Sequence, residues 1–318
     1  MHIHWLAPET FGNIHALYAT PLASLRLRAG ALLSALPPEH TLTAGPHIPA
    51  PTQVCVVGKI GVADLENRQT QWLNEIKSFK GQVVLDFTDD RVTVASKMSG
   101  FYMQALQSAH LAVCSSFRLQ SQLAQVYNGP IRVVPDAIEC PIIPPQYKPA
   151  DSLQVLWFGH STNLPALLDF LPSIPSALTL HVLTNAKGIQ QIKAFDNAHN
   201  HLQLVPEMWS PQGMVKTAMK CQMCIIPVGL DNAKKAGVSS NRLLTALALG
   251  LPTSADLTDS YAEFRNDFAD IRSAEFAEML NSPQSWHSRV QHAQTTVLPA
   301  YTFPKLGEQW LKLLLSIA

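Results

Sequence analysis

The segment whose residue types most clearly suggest a binding site spans residues 229–254. Its sequence is GLDNAKKAGVSSNRLLTALALGLPTS. Its pattern predicts a helix that is capped by Ser239 or Ser240. Gly250 suits the left-handed position that closes a helix, and Pro252 prevents its continuation. Leucines and alanines recur along the run, so the helix is expected to pack on a sheet with its first turn left accessible.

The first turn of this helix is suited to binding an anion. The first amides of a helix lack intrahelical partners, and the helix dipole places positive charge there, which together favour phosphate. Arg242, Asn241 and the serine hydroxyls would add donors at the same place. The alternative is a capped structural helix with Lys234 and Lys235 as solvated charges, and spacing alone gives both interpretations similar weight.

A second group of polar residues, Asp86-Phe87-Thr88-Asp89-Asp90-Arg91, directly follows an apolar run. Residues that follow a parallel strand lie at the carboxyl edge of the sheet, where α/β proteins bind their ligands. Asp89 could orient a substrate hydroxyl or accept its proton. Asp90 is better explained as the cap of a helix that begins near Val92.

A third group, Gly159-His160-Ser161-Thr162-Asn163, follows the apolar run LQVLWF. Gly159 permits a close approach of the backbone to a ligand, and the helix expected to follow offers further amides. Neutral His160 supplies one hydrogen-bond donor and protonated His160 supplies a charge. The alternative is a polar loop without a ligand.

Two further features have structural alternatives. Arg26 and Arg28 near a helix start could hold a phosphate or an acidic substrate, with a surface salt bridge about equally favoured; their spacing places them on different helix faces, so at most one would serve a site. Cys221 and Cys224 form a lone C-x-x-C beside an apolar run, which favours buried thiols over zinc or redox chemistry.

The elements that must position these groups alternate between short apolar strands and helices, which predicts parallel sheets covered on both faces. The first set of strands is predicted at 2–7, 54–58, 82–87, 110–116 and 131–134, with helices at 23–36, 63–79, 92–108 and 117–127. The second set of strands is predicted at 153–158, 178–183, 201–205 and 223–228, with helices at 164–171, 188–195, 211–220, 260–281 and 304–317. Prolines concentrate at 139–151, which indicates a linker between two domains, 1–140 and 141–318.

The composition excludes several classes of protein. Only 14% of the 318 residues are charged, and 23 basic residues balance 23 acidic ones. This balance argues against a nucleic-acid binder and against electrostatic docking on anionic lipid. No apolar run is long enough to span a membrane, and an odd number of cysteines, five, favours reduced thiols and a cytoplasmic location. No P-loop, G-x-G-x-x-G, G-x-S-x-G or H-E-x-x-H motif occurs.

The run S-N-R-L-L-x-A-L-A-x-G-L-P at 240–252 resembles the donor-site helix of retaining GT-B glycosyltransferases, which ends in E-A-x-A-x-G-x-P. Four other segments resemble pieces of that family in the same order: 24–36, 109–116, 131–136 and 155–163. No single motif is highly specific, but the similarity covers most of the chain.

The resemblance implies an α/β protein of the GT-B fold, with two Rossmann-like domains whose parallel sheets face a central cleft and a last helix, at about 304–317, that packs back toward the N-terminal domain. It implies metal-independent transfer of a sugar from a nucleotide-diphosphate sugar, without a cofactor, to a glycan, lipid-linked saccharide or protein acceptor. Asp89 and His160 would be the catalytic residues. The donor would contact Gly159, Ser161, Asn163, Ser239, Ser240, Asn241, Arg242 and Thr245.

The sequence departs from this family at one motif. Two glutamates normally stand eight positions apart on the donor loop and helix, and the second contacts the donor ribose. Gly237 and Thr245 occupy these positions here. The departure motivates an alternative, a non-catalytic GT-B-like binding or scaffold protein in glycan or surface-polymer biosynthesis. A third, weaker alternative is epimerisation of a sugar nucleotide on the same architecture.

Overall fold

The structure is a computed structural model that describes residues 1–94, 96–147, 149–175, 177–195, 202–229 and 237–318. It divides into two compact units. The first unit contains residues 1–137, 236–239 and 300–318, and the second contains 138–235 and 240–299. Lys234 and Lys235, predicted to be solvated, lie outside the described residues.

The first unit is built on a six-stranded parallel sheet with the order β2-β1-β3-β4-β5-β6. Its strands are β1 His2–Leu6, β2 Thr41–Gly45, β3 Val54–Val57, β4 Gln82–Phe87, β5 Leu111–Cys114 and β6 Ile131–Val133. The central strands are buried along nearly their whole length, as their continuous runs of Val, Leu and Ala require.

Helices cover both faces of this sheet and form two separate apolar cores. They are α1 Gly30–Ser34, α2 Val62–Ser78, α3 Ser99–Ser108, α4 Phe117–Leu123 and, from the end of the chain, α11 Phe303–Leu315. A π-helical turn, Leu25–Ala29, leads into α1. In α11, Leu306, Trp310 and Leu314 form one buried stripe, and the Trp310 ring meets Trp5 of β1 edge-on at 5.2 Å.

The second unit repeats the plan with the parallel order β12-β11-β10-β7-β8-β9. Its strands are β7 Leu153–Phe158, β8 Leu178–Thr184, β9 Leu202–Met208, β10 Met223–Ile226, β11 Thr253–Ala255 and β12 Ala269–Asp270. Its helices are α5 Leu164–Phe170, α6 Ala186–Ala194, α7 Pro211–Ala218, α8 Asn241–Ala248, α9 Ala274–Asn281 and α10 His287–His292. Ser210 caps α7, because its side chain accepts the Gly213 amide.

Two helices differ from the prediction. The helix predicted at 92–108 begins only at Ser99, because the Asp90 carboxylate accepts the Val92 and Thr93 amides and holds a turn there instead of a helix start. The single helix predicted at 260–281 is wrong. That region contains a 3-10 turn, the short strand β12 and then α9, which Ser273 caps.

The proline-rich segment forms no helix or strand over its described residues, but it packs on the second unit. The Ile143 amide donates to the Ala248 carbonyl at 2.7 Å, and the Gln294 side chain donates to the Ile143 carbonyl at 2.7 Å. Gly250 at the end of α8 has φ +77°, and a Cβ there would lie 2.4 Å from the Ile143 oxygen. Glycine is therefore required at this position both by conformation and by space.

Among the described residues, no helix combines the length and the apolar character that crossing a bilayer would require.

Candidate functional site

Arg242 and Gly159 meet in the second unit, although they are far apart in sequence. Gly159 follows β7, and its amide donates to the Leu183 carbonyl at 3.0 Å. A Cβ built on Gly159 would lie 3.4 Å from Arg242 Nη1 and 3.1 Å from the Trp157 ring. The loop after β7 and the first turn of α8 therefore lie next to each other.

The position of α8 follows from its sequence. Leu243, Leu244 and Leu247 are fully buried, so this face of the helix is fixed in the core. The helix connects the parallel strands β10 and β11, and its first turn therefore lies at the carboxyl end of β10. That is the edge where α/β sheets bind ligands.

Arg242 has no carboxylate partner among the described residues. Asp256, one of the acidic residues that could have paired with it, is fully buried and already holds other partners, and Asp231 lies outside the described residues. The Asp256 carboxylate accepts Arg272 Nε at 2.7 Å and the Val228 amide at 2.6 Å. The charge on Arg242 is thus not neutralised by an ion pair within the described part of the chain.

Several buried polar atoms of the second unit, one of them on this arginine, lack hydrogen bonds to the described residues. Within the described residues, no partner is found for Arg242 Nη1, Thr245 Oγ1, Tyr261 Oη or Trp157 Nε1. Thr245 lies one turn after Arg242 on α8, and the Trp157 ring borders the same glycine. A buried polar atom left unpaired costs about 1–3 kcal/mol, so such groupings often mark functional rather than purely structural sites.

His160 and the polar residues that follow it continue the loop after Gly159. The exposed His160 ring accepts the Thr162 amide through Nδ1 at 3.3 Å and lies 3.1 Å from the Thr162 hydroxyl. Because Nδ1 accepts this amide, Nε2 is the nitrogen that carries hydrogen in the neutral ring. Ser161 is buried, and Asn163 directly precedes α5 without capping it through its side chain.

The serine cap predicted for α8 lacks the expected side-chain hydrogen bond. Ser240 directly precedes α8 and is buried, but its side chain makes no capping hydrogen bond. Ser239 belongs to the first unit, where the neighbouring Gly237 carbonyl accepts the Ser116 hydroxyl at 2.8 Å. Asn241 begins α8 and is half-buried.

The carboxyl edge of the first sheet holds the remaining predicted residue, Asp89. One oxygen, Oδ2, bonds both Lys59 Nζ at 2.6 Å and Arg91 Nη2 at 2.7 Å. Burial by itself would raise the pKa of Asp89, but the two cations outweigh it and lower the pKa to about 2. A carboxylate with so low a pKa is a weak base, which favours a positioning role over proton abstraction.

The arginines of the first helix are not at the surface. Arg28 is fully buried and donates to Asp86 at 2.6 Å, to Asp136 at 3.1 Å and to the Val134 carbonyl at 2.6 Å. Burial raises the pKa of Asp86 to about 6, against the opposing charge of Arg28. Arg26 is also buried and donates to the Thr20 carbonyl. Sequence analysis missed this triad because its members are far apart in the chain.

The thiols are buried, apart from half-buried Cys140, and form no disulfide. Burial raises the pKa of Cys224 well above its usual range, so it stays a thiol at neutral pH. In the described part of the chain, no three His, Cys, Asp or Glu side chains converge as metal ligands.

No protein-family model matches the sequence, and no curated protein matches it either. Solved structures do resemble the chain. An alpha-glucosyltransferase (AGT) in complex with UDP matches over 99% of both chains, with 11% identity and a TM-score of 0.57. AviGT4, a glycosyltransferase involved in avilamycin A biosynthesis, matches over 99% of this chain and 97% of its own, with 9% identity and a TM-score of 0.54.

Trehalose-6-phosphate synthase OtsA matches over 91% of this chain and 75% of its own, with 10% identity and a TM-score of 0.52. Together with the two parallel six-stranded sheets, these similarities show that the fold is that of the GT-B glycosyltransferases. At such identities the likeness concerns the fold, and function must be argued from the site.

Proposed function

We propose that the protein is a glycosyltransferase that binds the diphosphate of a nucleotide sugar at the first turn of α8 and transfers the sugar to an acceptor without a metal ion. The observation that carries this proposal is Arg242, a cation for which the described residues supply no carboxylate partner, beside a glycine loop at the start of a helix. UDP in the structure of the similar alpha-glucosyltransferase makes a uridine nucleotide the first ligand to test.

The physical case rests on charge that develops during transfer. When the bond from sugar to diphosphate breaks, negative charge grows on the leaving phosphate oxygens. Arg242 and the helix dipole of α8 would stabilise that charge in place, which is the kind of preorganised electrostatics that contributes most to catalysis. His160, in the neighbouring loop, would donate a hydrogen bond from Nε2–H to the nucleotide sugar.

We propose that the acceptor binds to the first unit. There, Asp89 would act with Lys59 and Arg91 to hold an acceptor group at the carboxyl edge of the sheet. Its pKa of about 2 makes positioning the better role for Asp89 in this proposal.

Calorimetric titration of the full chain with UDP tests the donor site. Arg242→Ala should weaken UDP binding by about 1.5–3 kcal/mol, the value of a hydrogen bond to a charged group. The melting temperature without ligand should change little, because Arg242 forms no ion pair with the residues that the structure describes. Arg289→Ala is the matched control: this arginine of the same unit stacks on Trp286, and its loss should leave UDP affinity unchanged. Equal UDP affinity in wild type and Arg242→Ala would remove Arg242 from the site.

A non-catalytic binding protein is the second candidate, and one observation favours it. Both positions of the family's glutamate pair lack a carboxylate, being Gly237 and Thr245. Incubation with UDP-sugars separates the candidates. Release of UDP that depends on an added acceptor supports transfer, interconversion of the sugar without an acceptor indicates epimerisation, and UDP binding without any turnover supports the binding protein.

A further inference from the structure

Asp256 directly follows β11, and its carboxylate is fully buried at the carboxyl edge of the second sheet. The two oxygens of this carboxylate differ in their main partners. Oδ1 accepts Arg272 Nε at 2.7 Å, whereas Oδ2 accepts the amides of Val228 at 2.6 Å and Gly229 at 3.3 Å. Asp256 therefore ties the end of β11 to the chain that follows β10, the neighbouring strand.

Val228 and Gly229 form a turn after β10, called the 228–229 turn below. Gly229 has φ +76°, in the left-handed region where residues with a side chain are strained. A Cβ there would lie 3.4 Å from the Cβ of Ala166, an ordinary contact, so conformation rather than space favours glycine. The Asp256 carboxylate accepts both amides of the turn through charge-assisted hydrogen bonds, which hold this conformation.

The 228–229 turn packs beside the elements of the proposed donor site. Ala166, which Gly229 approaches, belongs to α5, the helix that follows the Gly159 loop. That loop lies next to Arg242. Strands β11, β10 and β7 are neighbours in the sheet, so the segments at their carboxyl ends are adjacent. Contacts therefore run from Asp256 through the turn to α5 and its loop, at the edge of the sheet where α8 begins.

Arg272 fixes the orientation of the Asp256 carboxylate. Besides the bond from Nε, its Nη2 approaches Oδ2 at 3.4 Å, and its guanidinium group lies over the Phe170 ring of α5, 5.0 Å from the ring centre. The ring contact and the two-point contact with the carboxylate together restrict the arginine. An asparagine at position 256 would have one acceptor oxygen instead of two, so Arg272 and the 228–229 turn would compete for it.

We propose that Asp256 is a positioning residue for the nucleotide donor, which acts by holding the 228–229 turn at the carboxyl end of β10. This inference rests on the proposed function of Arg242. With the carboxylate in place, the turn and the helix it packs against keep one arrangement before the donor arrives. Binding then does not have to order these segments, and the affinity for the nucleotide is higher.

The test is calorimetric titration of the full chain with UDP, at a temperature well below the melting transition so that less stable variants remain folded. Asp256→Asn should weaken UDP binding about three- to tenfold, comparable to the loss of one hydrogen bond. Gly229→Ala, which strains the same turn without a clash, should weaken binding by a similar factor. In the double variant the two effects should not add, because both act on one turn.

Asp267→Asn is the matched control. Asp267 is also buried in the second unit and pairs with His292 at 2.7 Å, but it precedes β12 and so lies toward the amino end of that strand. This variant should lose stability, as Asp256→Asn should, and keep its UDP affinity. The contrast between the two variants separates positioning of the donor from a structural role alone.

Unchanged UDP affinity in Asp256→Asn or Gly229→Ala, additive effects in the double variant, or an equal loss of affinity in Asp267→Asn would each overturn the inference. If Asp256→Asn fails to fold, Gly229→Ala decides alone. Failure of both variants to fold would mean that the turn serves the fold, and would also overturn the inference. When Arg242→Ala weakens UDP binding in these cases, the proposed function survives. If wild type does not bind UDP, or Arg242→Ala binds it equally well, both proposals fail.

Discussion

The two units differ in how their charged side chains are paired. At the carboxyl edge of the first sheet, Arg28 pairs with Asp86 and Asp136, and Asp89 pairs with two cations. In the second unit, Arg242 stands at the corresponding edge with no carboxylate partner among the described residues. Similar arrangements of strands and helices can therefore hold an arginine in a buried ion pair or leave it without one.

The difference has an energetic consequence. Removing one member of a buried ion pair leaves the other charge uncompensated and is strongly destabilising. Removing a cation that has no partner leaves no such charge behind. Substitutions in the first unit should therefore change stability, whereas substitutions around Arg242 should change ligand binding.

The largest effect is expected from Arg28→Met, which leaves Asp86 and Asp136 without their cation. Breaking a buried pair in this way costs about 3–5 kcal/mol of the free energy of unfolding. Denaturation by urea would measure the loss. Arg132→Met is the control, since Arg132 is exposed on β6 and bonds only the Ile131 carbonyl in the described structure. A loss below 1 kcal/mol for Arg28→Met would contradict the structural role given to the triad.

The next effect concerns pH and His4, which is buried and bonds Gly45 and Thr43. Burial lowers the pKa of His4 to about 4, from 6.5. Between these values the unfolded chain binds a proton that the folded chain does not, so stability falls as the pH falls from 6.5 toward 4. The free energy of unfolding should drop by about 2 kcal/mol between pH 7 and pH 5 through this residue.

Urea denaturation at both pH values would measure this slope. His4→Gln should reduce it, and the exposed His15→Gln should keep it. An equal slope in wild type and His4→Gln would mean that His4 protonates freely in the folded state.

A smaller effect is expected from Asp89→Asn, which releases Lys59 and Arg91. Because the three side chains are partly exposed, the loss in the free energy of unfolding should be about 1 kcal/mol. Asp169→Asn, on the exposed side of α5, is the control and should be neutral. Turnover of Asp89→Asn should be measured as well. A loss of activity of about 10⁴-fold, the upper range for general acids and bases, would indicate a catalytic base, whereas a modest loss would indicate positioning.

The smallest effect is expected from Gly159→Ala. The added Cβ would lie 3.1 Å from the Trp157 ring, which must move by a few tenths of an ångström, and would touch Arg242 Nη1 at 3.4 Å. UDP affinity should fall about threefold, equivalent to less than 1 kcal/mol, with little change in stability. Gly100→Ala is the control, because a Cβ there has open space, and it should leave UDP binding unchanged. Tighter binding in Gly159→Ala would show that Gly159 does not line the site.

Much of the fold could be predicted from the sequence because the signals are local. Buried strands such as β4 and β7 were predicted at their observed bounds, and Gly250 was predicted in the left-handed conformation it adopts. The prediction missed β2, β11 and β12. These strands have two to five residues and lie at or near sheet edges, where a short polar run carries little periodicity.

The candidate site was predictable only in part. Arg242 and Gly159 were expected to take part because each sits at a recognisable break between a strand and a helix. Asp89 was placed correctly after β4, but its two cations and its low pKa depend on side chains that meet only in the folded unit.

Local sequence signals were enough to specify the alternation of strands and helices, the turns that end α8 and start α7, and the low charge of the chain. Those features depend on neighbours within a few residues, through hydrogen bonding, capping and apolar periodicity. The tertiary structure decided which charges are neutralised. Arg28 pairs with carboxylates 58 and 108 residues away, whereas Asp256 pairs with Arg272, and Arg242 has no carboxylate partner within the described ranges. Ion pairs form across space between elements, so no local pattern could have told these two arginines apart.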